Sequence, residues 1–182
     1  MANRIEGMEA AGAQSPRGEL GSIYREHFAY VYRVLLRLGV PRSAAEDVAQ
    51  DVFVVVNRKL DTFHTGAALR PWLFGIARRV AADHRKRNVR AQRRLELLPG
   101  PLAPSGPDDA VSAAEASEFL RAFLDGLSQE EREAFVLCEL EAVTGTDAAA
   151  ALGINRNTLY SRLRKLRAQL ESAIAQRFGG GA

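Results

Sequence analysis

The stretch TGTDAAAALGINRNTLYSRLRKLRAQL, residues 144–170, decides the fold. A short Ala-rich run over residues 146–152 precedes Gly153. A longer segment then carries Leu159, Leu163, Leu166, Leu170 and Ile174 at helical spacing. Small residues let two helices cross closely, Gly153 takes the bend, and Thr144 and Asn155 stand where helix caps belong. This is the pattern of a helix-turn-helix, whose second helix enters the major groove of DNA. With the leucines inward, Tyr160, Ser161, Arg164 and Lys165 point outward along one strip, while Arg156, Asn157 and Thr158 lie at the helix start near the backbone. Arg in such a strip reads guanine, Ser or Tyr holds phosphate, and Tyr160 offers apolar contact to a thymine methyl. An ordinary amphipathic helix is the alternative.

Upstream, Ser128 and Glu131 form a capping box, and Phe135, Leu137 and Cys138 follow as core candidates. Another helix is predicted from about Ala113 to Asp125, with Phe119, Leu120, Phe123 and Leu124 inward. Before it, PGPLAPSGP at residues 99–107 contains four of the seven prolines, which excludes regular structure. Residues 95–112 therefore read as a linker that reaches ~60 Å when fully extended, far enough to hold two domains apart.

The first half reads as helices too. Leu20, Ile23, Tyr24, His27, Phe28, Val31, Val34, Leu35 and Leu38 keep helical spacing up to Gly39 and Pro41. Ser43 and Glu46 suggest a capping box for the next helix, whose buried stripe is Ala45, Val48, Ala49, Val52, Val56 and Leu60. The run around Phe53 also permits a strand, against which the flanking periodicity argues. A polar loop over residues 61–70 leads to Pro71 at a first helical position, then to an apolar face of Trp72, Leu73, Ile76, Ala77 and Val80. Trp72 reads as core, with base stacking as its alternative role. The fold class is all-α: two small helical domains joined by a Pro-rich flexible linker. The expected bounds are a disordered tail at 1–18, domains at 19–94 and 113–178, the linker at 95–112, and a flexible end at 179–182.

Charge is distributed unevenly around a net +3. Residues 70–94 carry eight Arg and Lys86 against Asp83, a net +8; residues 95–147 carry a net −10; residues 148–182 carry a net +5. Two basic segments flanking an acidic one suggest two polyanion contacts, solvated helix faces being the bland alternative. In the first basic segment Arg78, Arg79, Arg85, Lys86 and Arg87 lie mostly off the apolar face. The small polar loop of His64, Thr65 and Gly66 before them suits an unstacked base. Glu46, Asp47, Gln50 and Asp51 make an acidic face that cannot touch DNA and suits a basic protein surface, or solubility alone.

The ordered set of acidic helix, loop, WLFGIARRVAADHRKR, Pro-rich linker and terminal helix-turn-helix resembles the sigma-70 superfamily, above all its two-domain extracytoplasmic-function (ECF, group IV) sigma factors. The likeness runs from about Leu20 to Phe178. AAEDVAQDVFVVV is similar to the segment that docks on the β′ coiled coil of RNA polymerase, which assigns that role to Glu46, Asp47, Gln50, Asp51 and Phe53. RPWLFGIARRVAADHRKR is similar to the segment that melts and reads the −10 element, with residues 64–70 as the base-capturing loop. The last domain is similar to the reader of the −35 element. The resemblance implies core RNA polymerase and promoter DNA as partners, and a separate chain as any anti-sigma factor. The chain departs from the family pattern at Arg79, where Asn is common. Thr144–Ala149 stands where Ser-Tyr-Glu-Glu-Ile-Ala is usual, which removes core volume, and Tyr160 replaces a common basic residue.

A sigma-like decoy that sequesters an anti-sigma factor, and a plain helix-turn-helix regulator, compete with this reading. The decoy has no need of the basic faces, and the plain regulator leaves the acidic helix unexplained. Enzymatic activity is not expected: His27, His64 and His84 have no convergent ligand spacing, and no P-loop, HExxH or nucleophile elbow occurs. No catalytic residue, metal or cofactor is assigned. The lone Cys138 excludes an internal disulfide, no apolar run approaches the ~20 residues of a membrane span, and the N-terminus lacks a signal-peptide core, so a cytoplasmic protein is expected, with no membrane insertion.

Overall fold

Apolar residues three and four apart form one side of α1, Pro16–Arg37, where Val31, Val34 and Leu35 are fully buried, as is Leu38 just beyond it. The computed structural model describes residues 16–63, 68–95 and 111–178. The expected loop residues His64, Thr65 and Gly66, residues 1–15 of the expected tail, residues 96–110 of the expected linker and the end at 179–182 lie outside them, while the expected tail's last three residues and the linker's Leu95, Val111 and Ser112 are helical. Among the described residues there is no strand, and the chain is all-helical.

Gly39 ends α1 in a left-handed conformation (φ 85°), with Val40 N–H on the Leu35 carbonyl and Gly39 N–H on that of Leu36, both 3.0 Å. Pro41 then precedes α2, Arg42–Lys59. The expected Ser43 cap does not form. The helix begins two residues earlier, Pro41 occupies the cap position, and no side chain caps it. The β-branched run from Val52 is helical, with Val52 and Val56 buried. A 3-10 turn, Leu60–Thr62, leads out of α2. α3, Leu69–Leu95, starts two residues before Pro71, which the first turn tolerates because its N–H groups lack helical acceptors anyway. α1, α2 and α3 pack pairwise into a bundle.

The second half contains α4, Val111–Asp125, and α5, Gln129–Phe135, which widens into a π-helical turn, Val136–Leu140. α6, Gly145–Leu152, and α7, Arg156–Phe178, follow. Several sequence expectations hold at atomic detail. Ser128 and Glu131 exchange both capping-box bonds, Thr144 Oγ1 accepts the Asp147 N–H, and Asn155 Oδ1 accepts the Asn157 N–H at 2.8 Å. Gly153 turns the chain at φ 70°. Leu159, Leu163 and Leu166 are buried, but Ile174 is exposed. Each large side chain withdrawn fully from water contributes about 1.5–3 kcal/mol.

The two halves do not stand apart. One continuous cluster of buried side chains runs from Ile23 to Leu166, and α3 packs against α6. A Cβ on Gly75 would sit 3.8 Å from the Ala151 carbonyl oxygen, so the two backbones approach closely. Phe74, outside the predicted face of α3, is fully buried. It lies one turn before Arg78, on the stripe that meets α6.

Candidate nucleic-acid interface

On α7 the side chains three, four and seven apart make two adjacent stripes, Asn157, Ser161, Arg164 and Ala168 beside Thr158, Arg162 and Lys165. Together with Glu131 they line an open groove of about 820 Å³. Five expected contact residues thus share one surface: Asn157, Thr158, Ser161, Arg164 and Lys165. Arg156 and Tyr160 do not line it; they sit one stripe round the helix, with the Arg156 guanidinium 5.9 Å from the Tyr160 ring centre. Tyr160 stands four residues before Arg164 and so borders the first stripe on its outer side.

Tyr160 has a structural partner that explains one departure from the family pattern. Its ring lies against Gly145, where an added Cβ would fall 2.8 Å from Tyr160 Cζ. The space left by the missing aromatic at 145 is therefore filled from α7.

Acids of α5 and its π turn hold the bases of α7. Glu130 binds Arg162 at 2.7 Å, Glu131 binds Lys165 at 3.1 Å, and Glu139 binds Arg167 at 2.7 Å. The Ser128 hydroxyl, then Lys165, then the Ser128 N–H hold the Glu131 carboxyl well below the usual range, at about 2. Sequence reasoning missed Arg162 and Glu131 as groove residues. The i, i+4 relation of Arg162 to Thr158 was a usable signal. The role of Glu131 beyond its cap was not visible, because it depends on how α5 crosses α7.

The basic side chains of α3 divide by helix register. Arg79, Lys86 and Arg87 are exposed. Arg78 and Arg85, seven residues apart and so on one stripe, turn inward. Arg78 donates to Glu133 at 2.9 Å and to the Leu152 carbonyl at 3.4 Å, while Arg85 donates to the Leu38 carbonyl at 2.6 Å. Burial lowers the Arg85 guanidinium from its ordinary value. Before α3, Phe63 packs against Trp72 at 4.9 Å between ring centres. Tyr30 donates to the Arg70 carbonyl at 3.2 Å, and burial raises its phenol far above the usual value, so the donor proton is retained.

On α2, Glu46, Asp47, Gln50 and Asp51 are all exposed, as an acidic face requires. Asp51 meets Arg87 of α3 at 3.8 Å. Phe53 is buried instead, with its ring 4.8 Å from Tyr24 and 6.3 Å from Phe28. It supports α2 from beneath rather than presenting a contact.

The family model of sigma-70 region 2 matches residues 23–91, and that of sigma-70 region 4 matches residues 118–170. The chain is 34% identical over 149 residues to the ferric citrate uptake sigma factor FecI of Escherichia coli, covering 79% of this chain and 84% of that one. It is 30% identical over 173 residues to the ECF RNA polymerase sigma factor SigE of Mycolicibacterium smegmatis, covering 92% of this chain and 66% of SigE. Among solved structures, the sigma factor RpoE of Bartonella quintana, in complex with the anti-sigma factor NepR, superposes with a TM-score of 0.69. It has 25% identity and covers 86% of this chain and 96% of RpoE. CnrH, in complex with the cytosolic domain of CnrY, shares the fold at a TM-score of 0.66 and 22% identity, over 91% of this chain and 92% of CnrH. The chain belongs to the sigma-70 family, within its ECF group, and is an alternative sigma factor that directs transcription initiation.

Proposed function

We propose that this sigma factor docks on the β′ coiled coil of core RNA polymerase through Glu46, Asp47, Gln50 and Asp51, and addresses promoter DNA at two places. The α7 groove of Asn157, Thr158, Ser161, Arg164 and Lys165 reads the −35 element, with Arg156 and Tyr160 at its flank. The loop of His64, Thr65 and Gly66 captures a −10 base, while the exposed Arg79, Lys86 and Arg87 hold the adjoining strand; Arg78 joins them only on leaving Glu133, and Arg85, on the Leu38 carbonyl, is set aside. The observation that carries this reading is the α7 groove, which gathers five residues able to read base edges or hold phosphates on one exposed surface.

The protein acts without catalysis of its own, in the cytoplasm, where polymerase works. Among the described residues no helix is long and apolar enough to cross a membrane, which suits that location. A separate anti-sigma chain is the expected inhibitor, in keeping with the RpoE neighbour bound to NepR. Run-off transcription with purified core polymerase on a promoter pool tests the proposal. Transcripts should start from a restricted set of promoters sharing upstream and −10 sequences, and unselective or absent initiation would overturn it.

A further inference from the structure

A second concave surface takes no part in the contacts assigned above. It is a groove of about 350 Å³ bordered by α1, α4 and the start of α5. Leu36, Leu120 and Leu124 give it an apolar lining, and Arg33, Arg37, Arg121 and Arg132 surround them. Helical spacing builds both sets: Arg33 and Arg37 stand one turn apart on α1, as do Leu120 and Leu124 on α4. Two carboxylates serve the four guanidinium groups. Glu141, whose side chain is only 3% exposed, takes Arg33 through paired bonds of 3.2 and 3.1 Å and also binds Arg37. Asp125 takes Arg132 at 2.9 Å, and Arg121 is exposed with no partner among the described residues. Four cations against two anions leave two positive charges in excess. Arg85 adds to the field from nearby: burial chiefly, and also repulsion from Arg132, lower its guanidinium from the ordinary value.

We propose that this groove binds a small amphiphilic anion, with a carboxylate or phosphate head group on an aliphatic body of roughly ten carbons. The head group follows from the donors. Glu141 uses Nε and Nη2 of Arg33 and Nη1 of Arg37, so each keeps further N–H groups, and Arg121 keeps all of its own. Such forks match the paired oxygens of a carboxylate or phosphate, and the Ser117 hydroxyl on the same rim supplies a neutral donor. The body follows from the leucines, which offer apolar contact and nothing to a polar chain. Size sets the length: at ~30 Å³ per water-sized group the groove takes roughly a dozen non-hydrogen atoms. A nucleotide suits it less, since among the described residues no aromatic side chain lines the groove for a base to stack on.

The test titrates the full chain calorimetrically with decanoate and with decyl phosphate, both below their micelle concentrations. Each should fill a single saturable site, several-fold weaker at high salt than at low. Decanol and decyltrimethylammonium should bind about tenfold more weakly or not at all, having the body without the charge or with the wrong one. Arg121→Glu should weaken decanoate about tenfold, and Arg121→Gln less, because the exposed side chain is free of structural bonds. Methyl NMR of labelled leucines should report the ligand at Leu36, Leu120 and Leu124. Arg164→Ala with Lys165→Ala, on the α7 groove, should leave the affinity unchanged. Several outcomes overturn the site: no saturable binding at low millimolar concentration, decanol binding as tightly as decanoate, or leucine signals that do not move. An equal loss in the α7 variant would place the anion in that groove instead. Binding to phosphatidylglycerol vesicles without any response to the monomeric anions would mean a membrane surface and would also overturn it.

Discussion

Replacing Glu131 by Gln separates what this residue does for stability from what it does to the proposed DNA-reading surface. Its Oε2 accepts the Ser128 N–H at 3.1 Å and the Ser128 hydroxyl at 2.7 Å, and its Oε1 accepts Lys165 Nζ at 3.1 Å. Losing the charged half of a capping box costs about 1 kcal/mol, and the ion pair to exposed Lys165 adds little because solvent screens it. A net loss of about 1 kcal/mol lowers the melting temperature of a chain this size by roughly 2–4 °C. The pH dependence has a definite sign. The folded carboxyl, at about 2, lies below its unfolded value, so its stabilisation is complete above about 4.5 and is lost as pH falls through the folded value. The gap between wild type and Glu131→Gln should be constant from pH 7 to 5 and reduced by about half at pH 3. Over the same substitution, affinity for duplex DNA should rise about 2- to 5-fold at low salt, since one anion leaves the groove and Lys165 is released. Thermal melts across that pH range and fluorescence-anisotropy titrations read both effects. Equal melting temperatures at pH 7, or a gap undiminished at pH 3, would refute the assigned bonds.

Asp47→Lys with Asp51→Lys should reduce co-purification with core polymerase at least tenfold without altering the melting temperature by more than about 2 °C, since both side chains are exposed. Arg164→Ala should cost ~1–3 kcal/mol in binding to the upstream element and relax preference at one position in footprints. Gly145→Ala should displace the Tyr160 ring and lower the melting temperature, and Tyr160→Ala should remove most of the further loss in the double variant, as a thermal double-mutant cycle would record.

Elements set by local chemistry were legible in the sequence. The Ser128 capping box, the Thr144 and Asn155 caps, and the Gly39 and Gly153 turns each depend on a few consecutive residues, and each forms as read. Ser43 failed because Pro41 begins the helix before Ser43 is reached. Within the candidate interface, the leucine stripe of α7 oriented Ser161, Arg164 and Lys165 correctly. Tyr160 is 47% exposed, as an outward position requires, and borders the Arg164 stripe four residues before it, although it does not line the groove. What no local pattern reveals is the side of α3 that meets α6. Phe74 and Arg78 mark it, yet in the sequence they read as an extra apolar residue and one more base in a basic run.

That side of α3 changes the meaning of the charge pattern. In the sequence the acidic middle segment is only what separates two basic ones. In the structure its carboxylates are substitutes for polyanions: Glu130, Glu131, Glu133, Glu139 and Glu141 each hold an arginine or lysine belonging to α7, α3 or α1. Under the proposed DNA contacts, engaging DNA is an exchange in which phosphate replaces carboxylate at Lys165 and Arg78, and only the difference between the two partners appears as affinity. Such an exchange weakens every non-specific contact, because isolated phosphates offer little that Glu131 or Glu133 does not. A site that also supplies base edges for Asn157, Ser161 and Arg164 adds bonds the carboxylates cannot imitate. Internal acids therefore favour selectivity at the expense of raw affinity, which suits a chain that must ignore most of a genome before it finds one promoter.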